Sequence, residues 1–339
     1  MSTSSTDKDF QSEHYDDLLV ADSEHFDHLA PVSDFRCIVW SADRRRATNL
    51  PSRNDSSLAL PQTVYDAEFW NGPIFDNFIS RIPPGSRVLE IGCGLGGLSL
   101  ELARAGCHVI GMDAAEKRLK LAKKFAKENP YKNGFGSLEY IHSNFAEFEF
   151  DNSDKFDFVI ASKVFHHIPP EPLKKMLAQM TEILNPSGKL MVYDEIDPSR
   201  IGVALHAAIR LMLTPHFSLF KLPALFRNSA RDFLGALLPE SLHEQILELY
   251  RNLRHLPEPE PLSPLEGATR EDMLVYIGQF FNIEELEWSN HFEGKNLAFS
   301  IYDPETRIKV SEQLQKIDHW LGQINLTRGA SFFMVAGRN

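Results

Sequence analysis

Closely spaced glycines followed by an acid mark the first place where this sequence could do chemistry. The stretch from Glu90 to Gly97 reads EIGCGLGG, and Asp113 comes 21 residues after Gly92. Glycines in a turn between a strand and a helix let a ligand approach the backbone without meeting a Cβ atom. A carboxylate at the end of the next strand can accept hydrogen bonds from both hydroxyls of a ribose. Asp113 could also be a solvated acid, but its spacing favours a site for a nucleoside-containing cofactor.

Two adjacent histidines, His166 and His167, are the candidates for acid–base chemistry. Histidine titrates near neutral pH, so it can accept a proton without further tuning. The pair follows a predicted strand, at the carboxyl edge where open α/β sheets place their sites. One of them can face the site as a general base while the other caps the next helix. A structural or cofactor-positioning role for the pair also stays open. The residues 193–195 could also face this edge, whereas His291 is expected at the surface.

Short buried strands alternating with helices must position these residues. Apolar runs predict strands at RVLEI, CHVIGMD, LEYIH, KFDFVIAS and KLMVYD, and apolar stripes predict helices between them. This alternation is typical of a parallel sheet covered on both faces, so the fold class is α/β and doubly wound. A helix is also expected over 66–82, with a break at Gly72-Pro73. Towards the end, NIEELEW and SFFMVAG predict two more strands, with a helix over 304–323 between them.

The pattern divides the chain into four segments. Residues 1–65 are an N-terminal extension, partly disordered, that could cover the site; 66–196 are the cofactor-binding core; 197–268 are a helical insertion; and 269–339 contain the end of the core sheet. In the insertion, one helical stripe contains Ile201, Leu205, Ile209 and Met212, and residues 200–238 carry a net charge of +4. The insertion is either a helical subdomain buried against the sheet or a lid over an apolar acceptor, which could also rest on a membrane surface.

Composition excludes several classes of protein. The 339 residues carry a net charge of −12, which argues against a nonspecific nucleic-acid binder. Uncharged runs are too short for a transmembrane helix, and the N-terminus does not resemble a secretory signal. The three cysteines suit neither a disulfide framework nor a metal site. A cytoplasmic location without a bound metal is therefore the prediction.

The segment VLEIGCGLGG resembles motif I of the class I S-adenosylmethionine-dependent methyltransferases. Its glycines are spaced G-x-G-x-G after an acid, whereas dinucleotide dehydrogenases use G-x-G-x-x-G. The resemblance continues through HVIGMD, HSNFAEF, FDFVIASKVFHHIPP and LNPSGKLMVYD, and so covers about Ser86 to Asp194. It implies a seven-stranded sheet in the order 3-2-1-4-5-7-6, with the last strand antiparallel, and S-adenosylmethionine as the cofactor.

The resemblance also implies roles for individual residues. Gly92 and Gly94 border the methionine part of the cofactor, Glu90 braces the loop and faces the amino group through water, and Asp113 holds the ribose. The remaining members of the predicted cofactor site are Cys93, Gly96, Ala114, Asn144, Phe145 and Ser162.

We expect specific roles for several of these remaining residues. Asn144 is expected to meet adenine N6, although most relatives have Asp there. Phe145 either packs on the adenine ring or belongs to the core, and Ser162 is expected beside the sulfonium. Cys93 is interpreted as a small loop residue rather than a nucleophile.

The sequence thus predicts a methyltransferase that acts on an O, N or C atom of a small, largely apolar molecule by in-line displacement, with His167 or His166 as a possible base. Two alternatives stay open: a nicotinamide-dependent oxidoreductase, and a catalytically silent methyltransferase-like binding protein. The predicted partner is a small-molecule acceptor and not a nucleic acid. Membrane or lipid contact through 200–238 and a homo-oligomer are also open.

Overall fold

The architecture comes from a computed structural model, which describes residues 64–128, 134–151, 155–213, 272–292, 294–299, 301 and 303–339, and the short stretches 20–21, 23–24, 38–39 and 46–47. Two short strands, β1 (Ile38–Val39) and β2 (Arg46–Ala47), pair antiparallel. All other described strands belong to one sheet.

Seven strands form this sheet. They are β3 (Arg87–Ile91), β4 (His108–Asp113), β5 (Ser137–His142), β6 (Phe156–Ser162), β7 (Leu184–Glu195), β8 (Phe281–Ser289) and β9 (Ser331–Arg338). Their order is β5-β4-β3-β6-β7-β9-β8, which is 3-2-1-4-5-7-6 when counted from β3. The pairs among β3 to β7 are parallel, and β9 runs antiparallel to both β7 and β8. The predicted topology is therefore confirmed.

Helices alternate with these strands, as the sequence predicts. They are α1 (Val64–Ile79), α2 (Gly97–Arg104), α3 (Glu116–Glu128), α4 (Pro170–Ile183), α5 (Arg200–Met212), α6 (Met273–Phe280), α7 (Gly294–Phe299) and α8 (Pro304–Gln323). The predicted break at Gly72-Pro73 is wrong, because α1 continues through Pro73. The interior proline costs the helix a hydrogen bond. The helix continues beyond it because Phe75 and Phe78, which follow the proline, pack on the core.

Apolar side chains along a strand point alternately to the two faces of the sheet. On β3, Val88 joins the cluster under α1 and α2, whereas its neighbour Leu89 joins the cluster under α4 and α6. On β9, Phe332 and Phe333 divide in the same way. Since successive residues of a strand point to opposite faces, each strand contributes to two cores. The sheet is doubly wound, as predicted from the alternation of strands and helices.

The first helix of the insertion, α5, packs on α7 and α8 by the middle of the predicted stripe and not by its ends. Ile209 is buried in a cluster with Phe292, Leu297, Ala298, Leu314 and Leu321. Ile201 and Met212, however, are 47% and 70% exposed, so the predicted stripe is wrong at both ends. The reason is Gly202, where a Cβ atom would overlap the His291 carbonyl oxygen. This close approach turns the small residue rather than Ile201 toward the core.

None of the described helices is long and apolar enough to cross a membrane. Residues 214–271, which make up most of the predicted insertion, and most of the predicted extension 1–65 lie outside the described residues.

The orientation of α5 can be tested with two truncations on the same helix. Ile209→Ala removes a side chain that is 8% exposed, and it should lower the free energy of unfolding by about 2–5 kcal/mol through lost burial and a cavity. Met212→Ala, on the exposed side, should change it by less than about 0.5 kcal/mol. Urea denaturation measures both values, and equal effects would contradict the packing of α5 described here.

Candidate active site

The glycine-rich turn between β3 and α2 depends on three left-handed backbone conformations. Gly92, Gly94 and Gly96 have φ angles of +66°, +54° and +72°. A Cβ atom on Gly92 would overlap the methyl groups of Val164, and one on Gly96 would overlap the hydroxyl of Tyr140. A Cβ atom on Gly94 would lie 3.6 Å from the Arg118 Nη1, the nearest atom among the described residues. Protein packing therefore requires glycine at Gly92 and Gly96, whereas beside Gly94 there is space that, among the described residues, only the end of the Arg118 side chain approaches, at van der Waals distance.

Asp113 reaches back from the end of β4 to this turn. Its Oδ2 accepts a hydrogen bond from the Gly94 N–H at 2.6 Å, and its Oδ1 accepts one from the Ala115 N–H at 2.7 Å. The Cys93 N–H also donates to the Met112 carbonyl at 3.0 Å. The structure thus brings the glycine-rich turn and Asp113 together, as their spacing in the sequence predicts. The carboxylate lies next to Gly94, the glycine with space beside it.

Glu90 lies beneath the turn and is buried. The Ser99 hydroxyl donates a hydrogen bond to its Oε2. Burial disfavours the ionised carboxylate and raises the pKa of Glu90 to about 8. The hydrogen bonds from Ser99 lower this pKa and the charge of Asp113 raises it, but both effects are smaller than that of burial. Glu90 is therefore largely protonated and uncharged at pH 7. The sequence motif alone, in which glutamate would ordinarily count as a negative charge, does not indicate this state.

Tyr140 is a supporting residue that the sequence analysis missed. It lies on β5, and its hydroxyl donates a hydrogen bond to the Gly96 carbonyl at 3.0 Å. Its ring occupies the space above Gly111, where a Cβ atom would lie 2.8 Å from Tyr140 Cδ1. A glycine inside a strand often marks such a close approach. Gly111 in HVIGMD was thus the sequence signal that could have indicated a large neighbour at this point.

Asn144 and Phe145 follow β5 at the same edge of the sheet. The Asn144 Oδ1 accepts a hydrogen bond from the Ala146 N–H at 3.1 Å and so caps the short 3₁₀ turn Phe145–Glu147. Phe145 is buried in the cluster under α4, with its ring 5.5 Å from that of Phe150. Of the two interpretations of Phe145, this packing favours a core residue.

The other predicted cofactor residues lie around the same edge. Cys93 is buried, and burial, with the charges of Asp113 and Glu90, raises the pKa of its thiol well above the usual value. The thiol is therefore a poor nucleophile at neutral pH, in agreement with its interpretation as a loop residue. The Ala114 carbonyl accepts a hydrogen bond from the His142 ring at 3.0 Å, and Ser162 is the half-buried last residue of β6.

The loop after β6 carries both candidate histidines. Lys163 begins it with a φ angle of +59°, which is uncommon for a residue other than glycine, and its ammonium pairs with Glu195. His166 and His167 form a 3₁₀ turn with Phe165, and their ring centroids are 4.0 Å apart. His166 is 4% exposed, and its Nδ1 lies 2.5 Å from the Asp194 Oδ1. His167 is half-buried.

Two expectations about neighbouring residues are wrong. Asp194 does not face the open edge of the site, because its side chain is fully buried and bound to the loop after β6. His291 is not a surface residue but is 3% exposed, since the approach of Gly202 and Gly322 covers its backbone and ring. Within the part of the chain that the structure describes, no group of three or more potential metal ligands comes together.

Parts of the chain are similar to known methyltransferases. Residues 88–188 match a family described as "Methyltransferase domain". Over 106 residues the chain is 35% identical to a ubiquinone biosynthesis O-methyltransferase of Aromatoleum aromaticum, a match that covers 31% of this chain and 42% of that protein. Over 243 residues it is 33% identical to a sterol 24-C-methyltransferase of Gibberella zeae, covering 66% of this chain and 58% of that protein.

A solved structure also resembles this one. The cyclopropane synthase MmaA2 of Mycobacterium tuberculosis has a TM-score of 0.51 at 14% identity, over 96% of this chain and 98% of that chain. This likeness concerns the fold alone. The matched parts span less than two thirds of the length of either curated relative.

The strand order, the glycine-rich turn and the acid at the end of β4 are those of a class I methyltransferase fold. Residues 88–188 are the part of the chain that matches the methyltransferase domain family.

The raised pKa of Glu90 makes the stability of the protein depend on pH. The ordinary pKa of this carboxyl group is 4.5, so between about pH 4.5 and 8 the folded protein holds a proton that the unfolded chain has released. The stabilisation is fully present below pH 4.5 and is lost as the pH rises through about 8. A single proton contributes a slope of at most about 1.4 kcal/mol per pH unit.

Glu90→Gln keeps the size of the side chain but cannot ionise, so it should remove this slope. We expect the free energy of unfolding of the wild type, measured in urea, to fall relative to that of the variant as the pH rises from about 5 to 8. Glu116→Gln, at an exposed site on α3, serves as the control and should keep the wild-type slope. Parallel pH profiles for Glu90→Gln and the wild type would show that Glu90 is not a buried neutral acid.

Proposed function

We propose that this protein is an S-adenosylmethionine-dependent methyltransferase that acts on a small molecule. The observation that carries the proposal is the contact of the Asp113 carboxylate with the Gly94 N–H, in a turn of the G-x-G-x-G type. Such a carboxylate can bind ribose hydroxyls, and a glycine with space beside it lets a ligand reach the backbone. The family match of residues 88–188 supports the same activity.

The residues around the turn fit this cofactor. The space beside Gly94, which a side chain would begin to fill, suits the methionine part, and Asp113 suits the ribose. Asn144, at the end of β5, is proposed to meet the adenine, with Phe145 as packing behind it. Glu90 is proposed to brace the turn from below through Ser99. When bound, the sulfonium supplies an activated methyl group.

The acceptor is proposed to lie beyond Ser162, at the carboxyl ends of β6 and β7. There the protein's task is to align the acceptor for in-line displacement and, where needed, to take up its proton. His166 and His167 are the candidates for the proton, since both follow β6 at this edge. Curated relatives are named for ubiquinone biosynthesis and for sterol methylation, which supports a small and largely apolar acceptor.

The insertion at 197–268 is proposed to border the acceptor. Its first helix, α5, begins five residues after β7 ends, at the same edge of the sheet as the candidate site. The Phe292 carbonyl accepts a hydrogen bond from the His206 ring at 2.9 Å, and Ile209 is buried, so α5 is anchored to the core. The described part of the insertion is therefore packed on the core, and the rest of it lies outside the described residues. The division into four segments, a cytoplasmic location, lipid contact through 200–238 and self-association remain predictions.

Calorimetric titration tests the proposal against its two alternatives. We expect S-adenosylmethionine and S-adenosylhomocysteine to bind and NAD and NADP not to bind. Binding of the dinucleotides alone would favour an oxidoreductase, for which the comparisons offer no support. Release of S-adenosylhomocysteine with quinol or sterol acceptors separates an enzyme from a silent binding protein, which would bind the cofactor without turnover.

Asp113→Ala tests the ribose assignment. Loss of charge-assisted hydrogen bonds should weaken S-adenosylhomocysteine binding by about 2–4 kcal/mol, or roughly 30- to 1000-fold in Kd. Glu116→Gln, three residues away on the exposed surface of α3, is the matched control and should bind like the wild type. If the folded Asp113→Ala protein kept its affinity, as judged by calorimetry and a normal melting curve, the assignment would be incorrect.

Gly94→Ala tests whether the space beside this glycine is the cofactor's. The added methyl group and the left-handed backbone should lower stability by about 1 kcal/mol and weaken S-adenosylhomocysteine binding at least about tenfold. Gly85→Ala provides the control, since Gly85 also has a positive φ of +86° and a Cβ there would meet nothing within 4 Å among the described residues. It should show the same loss of stability with unchanged affinity. Similar affinities for both variants would argue that no ligand approaches Gly94.

A further inference from the structure

Asp194 collects four hydrogen bonds at the end of β7, although its side chain is fully buried. Its Oδ2 accepts from the N–H groups of Phe165 at 2.8 Å and Val164 at 3.3 Å. Its Oδ1 accepts from the Glu195 N–H at 2.8 Å and lies at hydrogen-bond distance, 2.5 Å, from the His166 Nδ1. The three backbone N–H donors favour the ionised carboxylate, because hydrogen bonds to the charged form stabilise it. These bonds offset the cost of burying its charge.

The bond to Asp194 determines which nitrogen of His166 carries a proton. An ionised carboxylate can only accept hydrogen bonds, so the His166 Nδ1 must be the donor. In a neutral imidazole the other nitrogen then has no proton. The buried carboxylate therefore makes Nε2 the basic nitrogen of this ring.

The same carboxylate fixes the backbone that lies over the glycine-rich turn. It binds the N–H of Val164, and the methyl groups of Val164 occupy the space where a Cβ atom on Gly92 would lie. The loop that carries the candidate histidines is thus held on β7 by Asp194 and packed on Gly92 by Val164. One side chain connects the acceptor side of the site to the cofactor side.

We propose that Asp194 is a positioning residue that fixes the Nδ1-protonated tautomer of His166 and holds the loop 163–167 against the glycine-rich turn. The proposal rests on the proposed function for its role in methyl transfer. In an O- or N-methylation, the acceptor's electron pair attacks the methyl carbon, the C–S bond breaks with its electron pair on sulfur, and the acceptor proton passes to a base. The tautomer makes Nε2 the atom of His166 that can take this proton.

Nuclear magnetic resonance of the ligand-free protein tests the tautomer directly. With ¹⁵N-labelled histidine, long-range ¹H–¹⁵N spectra distinguish a protonated from an unprotonated ring nitrogen, and the signals missing from His166→Asn identify His166. We expect a protonated Nδ1 in the wild type and its loss in Asp194→Asn. Asp318→Asn is the matched control, because Asp318 also accepts two backbone N–H groups and lies 3.3 Å from a histidine Nδ1, that of His291. It should leave the His166 signals unchanged.

Calorimetry with S-adenosylhomocysteine tests the link to the glycine-rich turn. Asp194→Asn should weaken binding at least about fivefold, because the loop over Gly92 loses its anchor. Asp318→Asn, at a carboxylate with similar backbone bonds away from the loop 163–167, should bind within about twofold of the wild type.

Each outcome bears on the proposal. An Nε2-protonated His166 in the wild type overturns it without any variant, so the test holds even if Asp194→Asn fails to fold. Wild-type affinity in a folded Asp194→Asn protein overturns the link between loop and turn. A wild type that binds no S-adenosylhomocysteine would contradict the proposed function instead, while the tautomer measurement on the ligand-free protein would still stand.

Discussion

The parallel pairing of β3 with its two neighbours is the constraint on which the site depends. Ile91 lies beside Met112 of β4 and beside Ala161 of β6, so all three strands end at the same level. The next residues along the chain are the glycine-rich turn, Asp113 and Ser162. Groups that are far apart in sequence thus emerge at one edge because the backbone ladder aligns them, and the side chains need only reach across adjacent strands.

Polar groups below that edge have to be satisfied without water. Glu90 is kept neutral and receives a hydrogen bond from Ser99, Tyr140 donates to the carbonyl of Gly96, and Asp194 accepts hydrogen bonds from the loop after β6. Burial raises the pKa of Glu90 although Ser99 donates to it, whereas Asp194 is bound by three backbone N–H groups and lies beside the His166 Nδ1. The turn and the loop after β6 are both fixed by such groups rather than by apolar packing alone.

Sequence patterns predicted the parts of this arrangement that depend on local order along the chain. Strand positions, the sheet topology, the 304–323 helix and the meeting of Asp113 with the glycine-rich turn follow from periodicity, spacing and the family resemblance. The exposure of both ends of the predicted stripe on α5, the burial of His291 and the fully buried position of Asp194 did not follow, since each depends on contacts between distant segments. Gly202 gave a signal at the first two of these places and Gly111 gave one at Tyr140, but a glycine does not reveal which neighbour approaches it.

The anchoring of both ends of the insertion has a consequence for changing what the protein acts on. α5 is held in a cluster with α7 and α8, and α6 contributes Met273 and Ile277 to the core under the sheet. Residues 214–271 therefore connect two fixed points of one scaffold. An exchange of this segment would leave α5, α6 and the buried groups beneath the glycine-rich turn unchanged in sequence. The two packed helices on either side make the described scaffold a candidate framework for varying the proposed acceptor site.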